Sequence, residues 1–414
     1  MIFYKETKFQ ETSIGRFPKE WNVVILEDIC EKVRAGGTPL TSKKEYWNGD
    51  LPFVKIEDIT LAGKYLTATK SFISKEGLSN SNAWLVPENS LLFAMYGSMG
   101  EVSINKIPVT TNQAILGIIP KDKDDAEFLY YWFSFFKPRW RKYAKPTTQA
   151  NLTAEIVRNS MIPLPSKRER QEIAKVLGVV DSVIAKTGEV IAKTERLKKG
   201  LMQELLTRGI GHKEFKETEI GKIPKTWQIV SLGDVCEQRS EIVQPSANNM
   251  ESFVGLEHVA SGETRLRNFA QSIDVKSTKF RFYAGDILYG KLRPYLDKAV
   301  LADLNGICST DLLVLKPKGN VIKEFLIYIL HSTDFIKHAI ATTTGTNHPR
   351  TSWAAISRFK FSLPERSEQQ NIANILSAID MKLELEKKEK VMLERIKRGL
   401  MDLLLTGKIR IKVD

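Results

Sequence analysis

The sequence predicts an α+β fold in which two globules, related by an internal repeat, are each followed by a long helix, and the two helices pair. Two observations support this prediction. Three segments of the first half of the chain return in the second half, and the last of them has the heptad pattern of a coiled-coil helix. The 414 residues suffice for two or three domains, each with a core of its own.

The first two repeated segments mark the frame of each half. Glu11–Trp21 returns as Glu217–Trp227 at an offset of 206 residues, and both copies contain Ile-Gly-x-x-Pro-x-x-Trp. Glu127–Tyr131 returns as Glu324–Tyr328 at an offset of 197 residues. Segments that recur in the same order at nearly the same spacing indicate a duplicated domain.

The third repeated segment is the longest. Leu164–Ile210 aligns without gaps to Leu363–Ile409, with 18 identities in 47 positions. The interiors between the repeated segments, about residues 31–126 and 237–323, show little resemblance to each other. We therefore expect one scaffold that carries two different interiors.

The third segment has the periodicity of a long helix. A helix from Arg168 to Leu206 would be about 58 Å long at ~1.5 Å per residue. Prolines before it and Gly209 after it indicate its ends. We expect the two copies to pair, either within one molecule or between two. The expected seam of the first copy is Ile173, Val176, Val180, Val183, Thr187, Val190, Thr194, Leu197 and Leu201, widened by Leu177, Ile184, Ile191 and Leu205, and that of the second is Ile372, Ile375, Leu376, Ile379, Leu383, Leu393, Ile396, Leu400 and Leu404.

The interiors contain short apolar runs bounded by Gly, Pro, Asn or Asp, which is typical of strands and turns. Glu127–Tyr143 and Glu324–Ala341 are rich in aromatic residues and are predicted to be amphipathic helices. The predicted division is a first globule at 1–165, a central long helix at 166–210, a second globule at 211–364 and a C-terminal long helix at 365–414.

Composition and charge favour an acidic partner. Lys and Arg outnumber Asp and Glu by 62 to 49, and the resulting charge of +13 makes nucleic acid the first candidate. Three scattered cysteines argue against a disulfide scaffold and a zinc site of the usual spacing. The first residues do not resemble a signal peptide, and the longest uncharged stretch, Ile107–Pro120, is too short to span a bilayer. The expected location is the cytoplasm.

The sequence contains none of the catalytic motifs for which we searched. It has no G-x-x-x-x-G-K-[ST] phosphate loop, no G-x-G-x-x-G fingerprint and no Asn-Pro-Pro-aromatic or Asp-Pro-Pro-Tyr motif of adenine methyltransferases. No pair of its five histidines has the spacing of a metal site. We expect no catalytic residue, no metal and no cofactor in this chain.

Four segments have the residue types that contact DNA, since Arg and Lys bind guanine and phosphate while Asn and Gln bind adenine. Two of these segments precede the long helices at equivalent places in the repeats. The alternative for each loop is a plain polar turn. The alternative for the first segment is burial of Tyr46 and Trp47 in the core, which the sequence favours for Trp47. The predicted DNA-binding residues are Lys43, Lys44 and Tyr46; Arg139, Arg141, Lys145, Thr147, Thr148, Gln149 and Asn151; Lys291, Arg293 and Tyr295; and Thr346, Asn347, His348 and Arg350.

Five motifs occur in a fixed order along nearly the whole chain. They are the doubled Ile-Gly-x-x-Pro-x-x-Trp, Gly36-Gly-Thr-Pro with Tyr46-Trp47, Gly285-Asp-Ile-Leu-Tyr-Gly-Lys-Leu-Arg-Pro-Tyr295, the Gln-x-Ile-Ala after each Leu-Pro and the closing Gly-Leu-Met-x-x-Leu-Leu-Thr. Together these motifs resemble the specificity subunit of type I restriction–modification systems. Leu164-Pro-Ser166 and Leu363-Pro-Glu365 stand where that family is expected to have Leu-Pro-Pro, which leaves the fold unaffected.

The resemblance implies two target recognition domains and two helices that form an antiparallel coiled coil acting as a spacer. It implies double-stranded DNA as the ligand, two bound methyltransferase subunits and restriction subunits that join this core. S-adenosylmethionine would then belong to the methyltransferase partner, and ATP and Mg to the restriction partner. The candidate subunit-interface residues are Leu177, Ile184, Lys198, Lys199, Leu201, Ile379, Arg395, Lys397, Arg398 and Leu400.

Two recognition domains at opposite ends of a helix pair are expected to address half-sites about one helical turn apart, near ~34–36 Å. Because the interiors differ, the target should be asymmetric. Two alternatives stay open: a freestanding DNA-modifying enzyme with an unrecognised site, and a basic coiled-coil scaffold without sequence preference. The duplicated frame with divergent interiors favours the specificity subunit, since neither alternative needs two different globules.

Overall fold

The computed structural model describes residues 2–144, 151–245, 251–272 and 277–413. Within the first half, the helices are α1 (Ile56–Ala62), α2 (Lys75–Ser79), α3 (Asp125–Phe136), α4 (Ala154–Arg158) and the long α5 (Lys167–Arg208). The strands are β1 (Ile2–Lys5), β2 (Phe9–Thr12), β3 (Gly15–Pro18), β4 (Asn22–Ile25), β5 (Cys30–Ala35), β6 (Trp47–Val54), β7 (Tyr65–Leu66), β8 (Ser71–Ile73), β9 (Leu91–Ala94), β10 (Val102–Asn105), β11 (Thr110–Thr111), β12 (Ile115–Pro120) and β13 (Met161–Leu164).

The second half likewise consists of a strand-rich globule followed by a long helix. Its helices are α6 (Leu232–Val235), α7 (Lys323–Leu330), α8 (Thr333–Ala341), α9 (Trp353–Ile356) and the long α10 (Arg366–Leu405). Its strands are β14 (Phe215–Thr218), β15 (Gly221–Pro224), β16 (Gln228–Ser231), β17 (Cys236–Arg239), β18 (Ile242–Val243), β19 (Ser252–Val254), β20 (Ala270–Gln271), β21 (Lys279–Phe282), β22 (Ile287–Gly290), β23 (Ala299–Leu301), β24 (Gly306–Cys308), β25 (Leu312–Pro317), β26 (Lys360–Leu363) and β27 (Ile409–Lys412).

The chain packs as two compact units, each built from one globule and half of each long helix. Unit 1 is Met1–Gly188 with Glu389–Asp414, and unit 2 is Glu189–Lys388. In unit 1 the start of α5 shares a core with the end of α10, and in unit 2 the end of α5 shares a core with the start of α10. The helices therefore pair antiparallel in each unit, within one molecule.

The two units contain the same central sheet. Its strand order is β5-β12-β9-β10 in unit 1, where β7 adds a fifth strand, and β17-β25-β22-β23 in unit 2. The sequence predicted little resemblance between the interiors, and the structure shows that the frame extends into them. Different apolar residues can replace one another in these strands, because a buried position constrains the polarity and volume of a side chain more than its identity. Sequence identity therefore disappears where the backbone repeat continues.

The second sheet accounts for the difference between the units. In unit 1 it has the order β11-β6-β8, and in unit 2 the equivalent strands β24-β19-β20 are extended by β21 and β18 on the side of β24. The pair β11–β6 and the pair β19–β24 are both parallel. Unit 2 thus carries an additional pair of strands on a shared topology.

Neither aromatic segment is the single continuous helix that the sequence predicted. The expected helix Glu127–Tyr143 is α3, followed by a 3₁₀ turn at Lys137–Lys142, because Pro138 cannot donate to a continuing helix. The expected helix Glu324–Ala341 is two helices, since the Ser332 hydroxyl caps a new start by accepting the Phe335 N–H. Within the described ranges, none of the helices combines the length and apolarity needed to cross a bilayer.

The repeated tryptophans explain the conserved spacing of the first and third repeated segments. The Trp21 indole N–H donates to the buried Glu169 carboxylate at 3.2 Å, and the Trp227 indole N–H donates to Glu368 at 2.9 Å. Each bond joins the opening strands of a globule to the first turn of a long helix. In unit 1 the Arg410 guanidinium binds the same carboxylate of Glu169 through two hydrogen bonds of 2.8 and 2.9 Å.

Burial of the three thiols gives a testable result. Cys30, Cys236 and Cys308 are buried, and desolvation raises the pKa of each to about 12 from an ordinary 9.0. At pH 8 almost none of the thiols of the native chain should therefore react with Ellman's reagent, because the thiolate is the nucleophile and these buried thiols stay protonated. After denaturation in urea, three thiols should react. Rapid modification of the native chain would contradict the packing described above. Because the pKa of each thiol is higher in the folded than in the unfolded chain, the free energy of unfolding falls as the pH rises above about 9.

Candidate nucleic-acid interface

Two of the segments predicted to bind DNA lie side by side in unit 2. The Arg293 N–H donates to the Pro349 carbonyl at 2.8 Å, and the Thr351 N–H donates to the Lys291 carbonyl at 3.0 Å. Residues 291–293 follow β22 directly, so a rigid strand of the central sheet holds them. The structure therefore combines Lys291, Arg293 and the loop 342–352 in one surface.

The loop 342–352 contains a tight hairpin. Thr344 and Arg350 exchange two backbone hydrogen bonds of 2.9 and 3.0 Å, and Gly345 at φ 91° permits the turn. Thr346, Asn347 and His348 lie at the exposed tip of this hairpin. Tyr295 is also exposed, just after the adjacent segment. The predicted residues of unit 2 are thus presented to solvent together.

The cations of this surface differ in their partners. The Arg350 guanidinium donates to Asp311 at 3.0 Å, so its charge is partly neutralised and it braces the hairpin. Lys291 and Arg293 have no ion-pair partner within 4.0 Å among the described residues, and the buried Nε of Arg293 has no hydrogen-bond partner there. Unpaired, half-buried cations on a rigid loop are well suited to bind phosphate or base edges.

In unit 1 the predicted loop is only partly described. Lys145, Thr147, Thr148 and Gln149 lie outside the described residues. Asn151 is half-buried, and its Oδ1 has no hydrogen-bond partner among the described residues. The next residue, Leu152, donates its N–H to the Met95 carbonyl at 3.0 Å, which attaches this end of the loop to the end of β9.

The two predicted arginines of unit 1 differ in their surroundings. Arg139 is half-buried and lies over the Phe135 ring at 4.8 Å, so its guanidinium partly supports the globule. Arg141 is exposed, and no carboxylate of the described residues lies within 4.0 Å of it. Arg141 therefore remains the better candidate for a DNA contact.

The structure corrects the expectation for Tyr46. Its side chain is buried at 7% exposure, and its hydroxyl accepts a hydrogen bond from Lys43 Nζ at 3.1 Å. A buried ring cannot stack on a base. Trp47, which the sequence favoured for the core, is the more exposed of the two, although its ring packs against Phe53. Lys43 and Lys44 are exposed, and their contact with DNA stays a prediction.

The seam of the helix pair follows heptad positions that are buried or half-buried on both helices. The sequence placed Val183, Val190 and Leu197 in this seam, but they are 40%, 43% and 55% exposed and lie on a neighbouring stripe. The observed seam positions are Ile173, Leu177, Val180, Ile184, Thr187, Ile191, Thr194, Lys198, Leu201 and Leu205 on α5, and Ile372, Leu376, Ile379, Leu383, Glu386, Lys390, Leu393, Lys397, Leu400 and Leu404 on α10.

Most of the predicted subunit-interface residues lie in this seam. Leu177 is buried in the core of unit 1, so its assignment as a partner contact is corrected. Ile184, Leu201, Ile379 and Leu400 are half-buried at seam positions, and their role at a partner interface stays a prediction. Of the predicted set, the exposed members are Lys199, Arg395 and Arg398.

The remaining two predicted contacts, Lys198 and Lys397, belong to a joint that sequence analysis missed. In unit 1 the Asp181 carboxylate accepts the Tyr131 hydroxyl at 2.7 Å and pairs with Lys397 at 2.6 Å. In unit 2 Asp380 accepts Tyr328 at 2.9 Å and pairs with Lys198 at 2.5 Å. Burial and the adjacent carboxylate raise the pKa of both tyrosines, which keeps them as donors. The sequence did contain a signal for these joints, because the tyrosine, the aspartate and the lysine are each identical between the repeats.

These joints hold each globule against both long helices. Tyr131 comes from α3 and Tyr328 from α7, while the aspartate and lysine come from the two paired helices of the same unit.

No group of three His, Cys, Asp or Glu side chains able to hold a metal ion occurs in the described part of the chain. The site is thus a polar, basic surface on a rigid frame.

Comparison with known proteins agrees with this architecture. The family model of the type I restriction modification DNA specificity domain matches residues 18–196 and 224–395. The specificity subunit of the type I restriction enzyme MjaVIII from Methanocaldococcus jannaschii is 28% identical over 431 aligned positions, which cover 100% of this chain and 98% of that protein. The MjaIX specificity subunit of the same organism is 27% identical, with 99% and 98% covered.

Solved structures share the fold. A chain from a study of complex assembly and conformational transition of the type I R-M system superposes with a TM-score of 0.59 at 17% identity, covering 95% of this chain and 99% of that one. The type I restriction-modification S subunit from M. genitalium gives 0.56 at 16% identity, covering 95% and 97%. Two specificity domains in one chain define a two-domain DNA-specificity protein. The chain belongs to the type I restriction–modification DNA specificity family, which confirms the predicted resemblance and fold class.

Proposed function

We propose that the chain recognises an asymmetric, bipartite site on double-stranded DNA, with one half-site for each unit. The observation that carries this proposal is the shared central sheet that presents different loops and different second sheets in the two units. One frame that carries two dissimilar recognition surfaces is suited to bind two different DNA sequences. The net charge of +13 supports contact with phosphates around both half-sites.

The chain would direct methyltransferase and restriction subunits to that site without catalysis of its own. S-adenosylmethionine would be held by the methyltransferase partner, and ATP and Mg by the restriction partner. The expected location is the cytoplasm, where the DNA target is. The relatives are named specificity subunits of restriction enzymes, which supports this division of labour.

Exposed apolar residues on the helices support two bound copies of one partner. Leu197 in unit 2 and Ile396 in unit 1 are equivalent in the repeat, and they are 55% and 47% exposed. Exposed cations flank each of them: Lys199 follows Leu197, and Arg395 and Arg398 flank Ile396. Exposed apolar side chains at matching places favour protein contact surfaces. We therefore propose these two patches as equivalent docking places for two methyltransferase subunits.

Substitution of the patch residues tests this stoichiometry. Leu197→Asp or Ile396→Asp should leave one methyltransferase subunit bound and the double variant none, since a buried apolar anchor contributes about 2 kcal/mol or more. Native mass spectrometry of the purified complexes counts the subunits. Leu61→Asp is the control, because Leu61 is an exposed leucine (71%) that lies on α1 and not on a long helix. Two bound subunits in the double variant would contradict the proposed docking places.

Selection from a random duplex pool tests the recognition function. The full chain, in complex with methyltransferase subunits at near-physiological salt, should enrich two short blocks separated by a fixed unread gap. A single block would contradict a bipartite site. Tight binding without enrichment would favour the sequence-nonspecific scaffold, and methyl transfer by the purified chain alone would favour an enzyme.

A further inference from the structure

The segment that follows the strand in the unit 2 surface, residues 291–293, has a counterpart in unit 1 that the sequence did not predict. In unit 2, Lys291 receives the Thr351 N–H and donates its own N–H to the Asp311 carbonyl. In unit 1, Met95 receives the Leu152 N–H at 3.0 Å and donates its own N–H to the Ala114 carbonyl at 2.9 Å. β9 and β22 occupy the same place in the central sheet, so residues 95–97 correspond to residues 291–293.

The two segments also share an unusual backbone conformation. The third residue of each is left-handed: Arg293 has φ 51° and Gly97 has φ 71°. Glycine adopts this region without strain, whereas arginine does not. Pro294 adds to the strain, because a residue before proline prefers an extended conformation. The frame therefore imposes this turn in both units, and unit 2 places an arginine where the backbone favours glycine.

A strained arginine at an exposed loop is a feature of functional sites. The buried Nε of the Arg293 side chain lacks a hydrogen-bond partner among the described residues, so no such bond offsets the backbone strain there. Nor does an ion pair within 4.0 Å hold its guanidinium in the described part of the chain. Gly97, by contrast, leaves an exposed turn flanked by the half-buried Tyr96 and Ser98.

We propose that the equivalent positions Arg293 and Gly97 determine base specificity in the two half-sites. This inference rests on the proposed recognition of bipartite DNA. The Arg293 guanidinium donates to O6 and N7 of a guanine in the major groove, the pairing that arginine geometry favours. Gly97 carries no side chain, so the turn of unit 1 approaches base edges closely and Tyr96 and Ser98 make the contacts. Residues 95–98 thereby enter the unit 1 interface, which sequence analysis had not included.

Selection from a random duplex pool with Arg293→Gly tests the assignment. The variant should lose preference for one guanine in one block by about tenfold or more, while the other block keeps its sequence. Its Tm should equal or exceed that of the wild type, because glycine relieves the left-handed strain. Arg358→Gly is the matched control, since Arg358 is an exposed arginine of unit 2 outside this loop. It should leave both blocks unchanged.

The reciprocal variant Gly97→Arg should change base preference at one position of the other block. A uniform loss of affinity in Arg293→Gly, with both blocks intact, would identify a phosphate contact and overturn the inference. An unchanged block in a folded Gly97→Arg would overturn the assignment of unit 1. Failure of the proposed function is distinguishable, because the wild-type chain itself would then enrich no pair of blocks.

Discussion

Deletion of one heptad from each long helix, residues 185–191 of α5 and 387–393 of α10, should shorten the unread gap between the half-sites by about three base pairs. A heptad spans about 10.5 Å of helix, and a base pair about 3.4 Å of DNA. The two deleted stretches lie opposite each other, since Gly188 of α5 lies next to Lys390 of α10. The joints Asp181–Lys397 and Lys198–Asp380 lie outside them, and the heptad phase is kept.

Duplexes that carry the two selected blocks at gaps from four below to four above the wild-type gap measure the preference. Three base pairs also turn the duplex by about 100°, since one turn takes about 10.5 base pairs. We therefore expect weaker binding at the new gap than the wild type has at its own. Insertion of one heptad in each helix is the control and should lengthen the gap by three. A preferred gap that stays constant in both variants would show that the helices do not set the spacing.

Arg410→Met should destabilise unit 1 by about 3–5 kcal/mol, because it leaves a buried carboxylate without its cation. Arg410 binds the almost fully buried Glu169 through two hydrogen bonds and reaches Glu6 and Glu20 at 2.8 Å each. Without the guanidinium, Glu169 keeps the Trp21 indole as a donor. Urea unfolding followed by tryptophan fluorescence measures the loss.

Two further variants make this prediction specific. Arg16→Met removes an exposed ion pair with Glu11 and should change stability by less than about 1 kcal/mol. In the double variant Arg410→Met with Glu169→Gln, the buried charge is gone, so part of the lost stability should return. A single Arg410→Met variant as stable as Arg16→Met would contradict the structural role assigned to the buried ion cluster.

The sequence predicted the order of elements well, because repeats and heptads are recognised from the spacing of residues along the chain. It predicted one of the two stripes of the seam on α5 correctly and the other wrongly, since apolar residues occupy three neighbouring heptad positions there and the pattern does not say which two face the paired helix. Val183 and Leu197 fit the pattern and are exposed. The apolar stripe outside the seam is the one that a further partner would cover. The presence of this stripe therefore explains both the incorrect part of the seam prediction and the proposed docking patches.

The adjacency of the candidate segments could be predicted only in part from the sequence. Lys291 and Arg293 were selected as candidates because they follow a strand with a clear signature, and their DNA contact stays a prediction. Met95–Ser98 were missed, since no charged residue marks that turn and the equivalence depends on hydrogen bonds across the sheet. Lys198 and Lys397 were assigned to a partner because sequence cannot show that an aspartate of the paired helix already binds each of them.

The pairing of β1 with β27 has a topological consequence. In the middle of the chain, α5 leads through residues 209–214 into β14. At the corresponding place in unit 1, α10 leads into β27, which lies antiparallel to β1, and β1 leads into β2. In unit 1 this pairing places Ile2 beside Lys412. A circular permutant that joins Lys412 to Ile2 by a short linker and is opened between α5 and β14 would therefore retain the same strand pairings, and the globule that comes first in the chain would become the second.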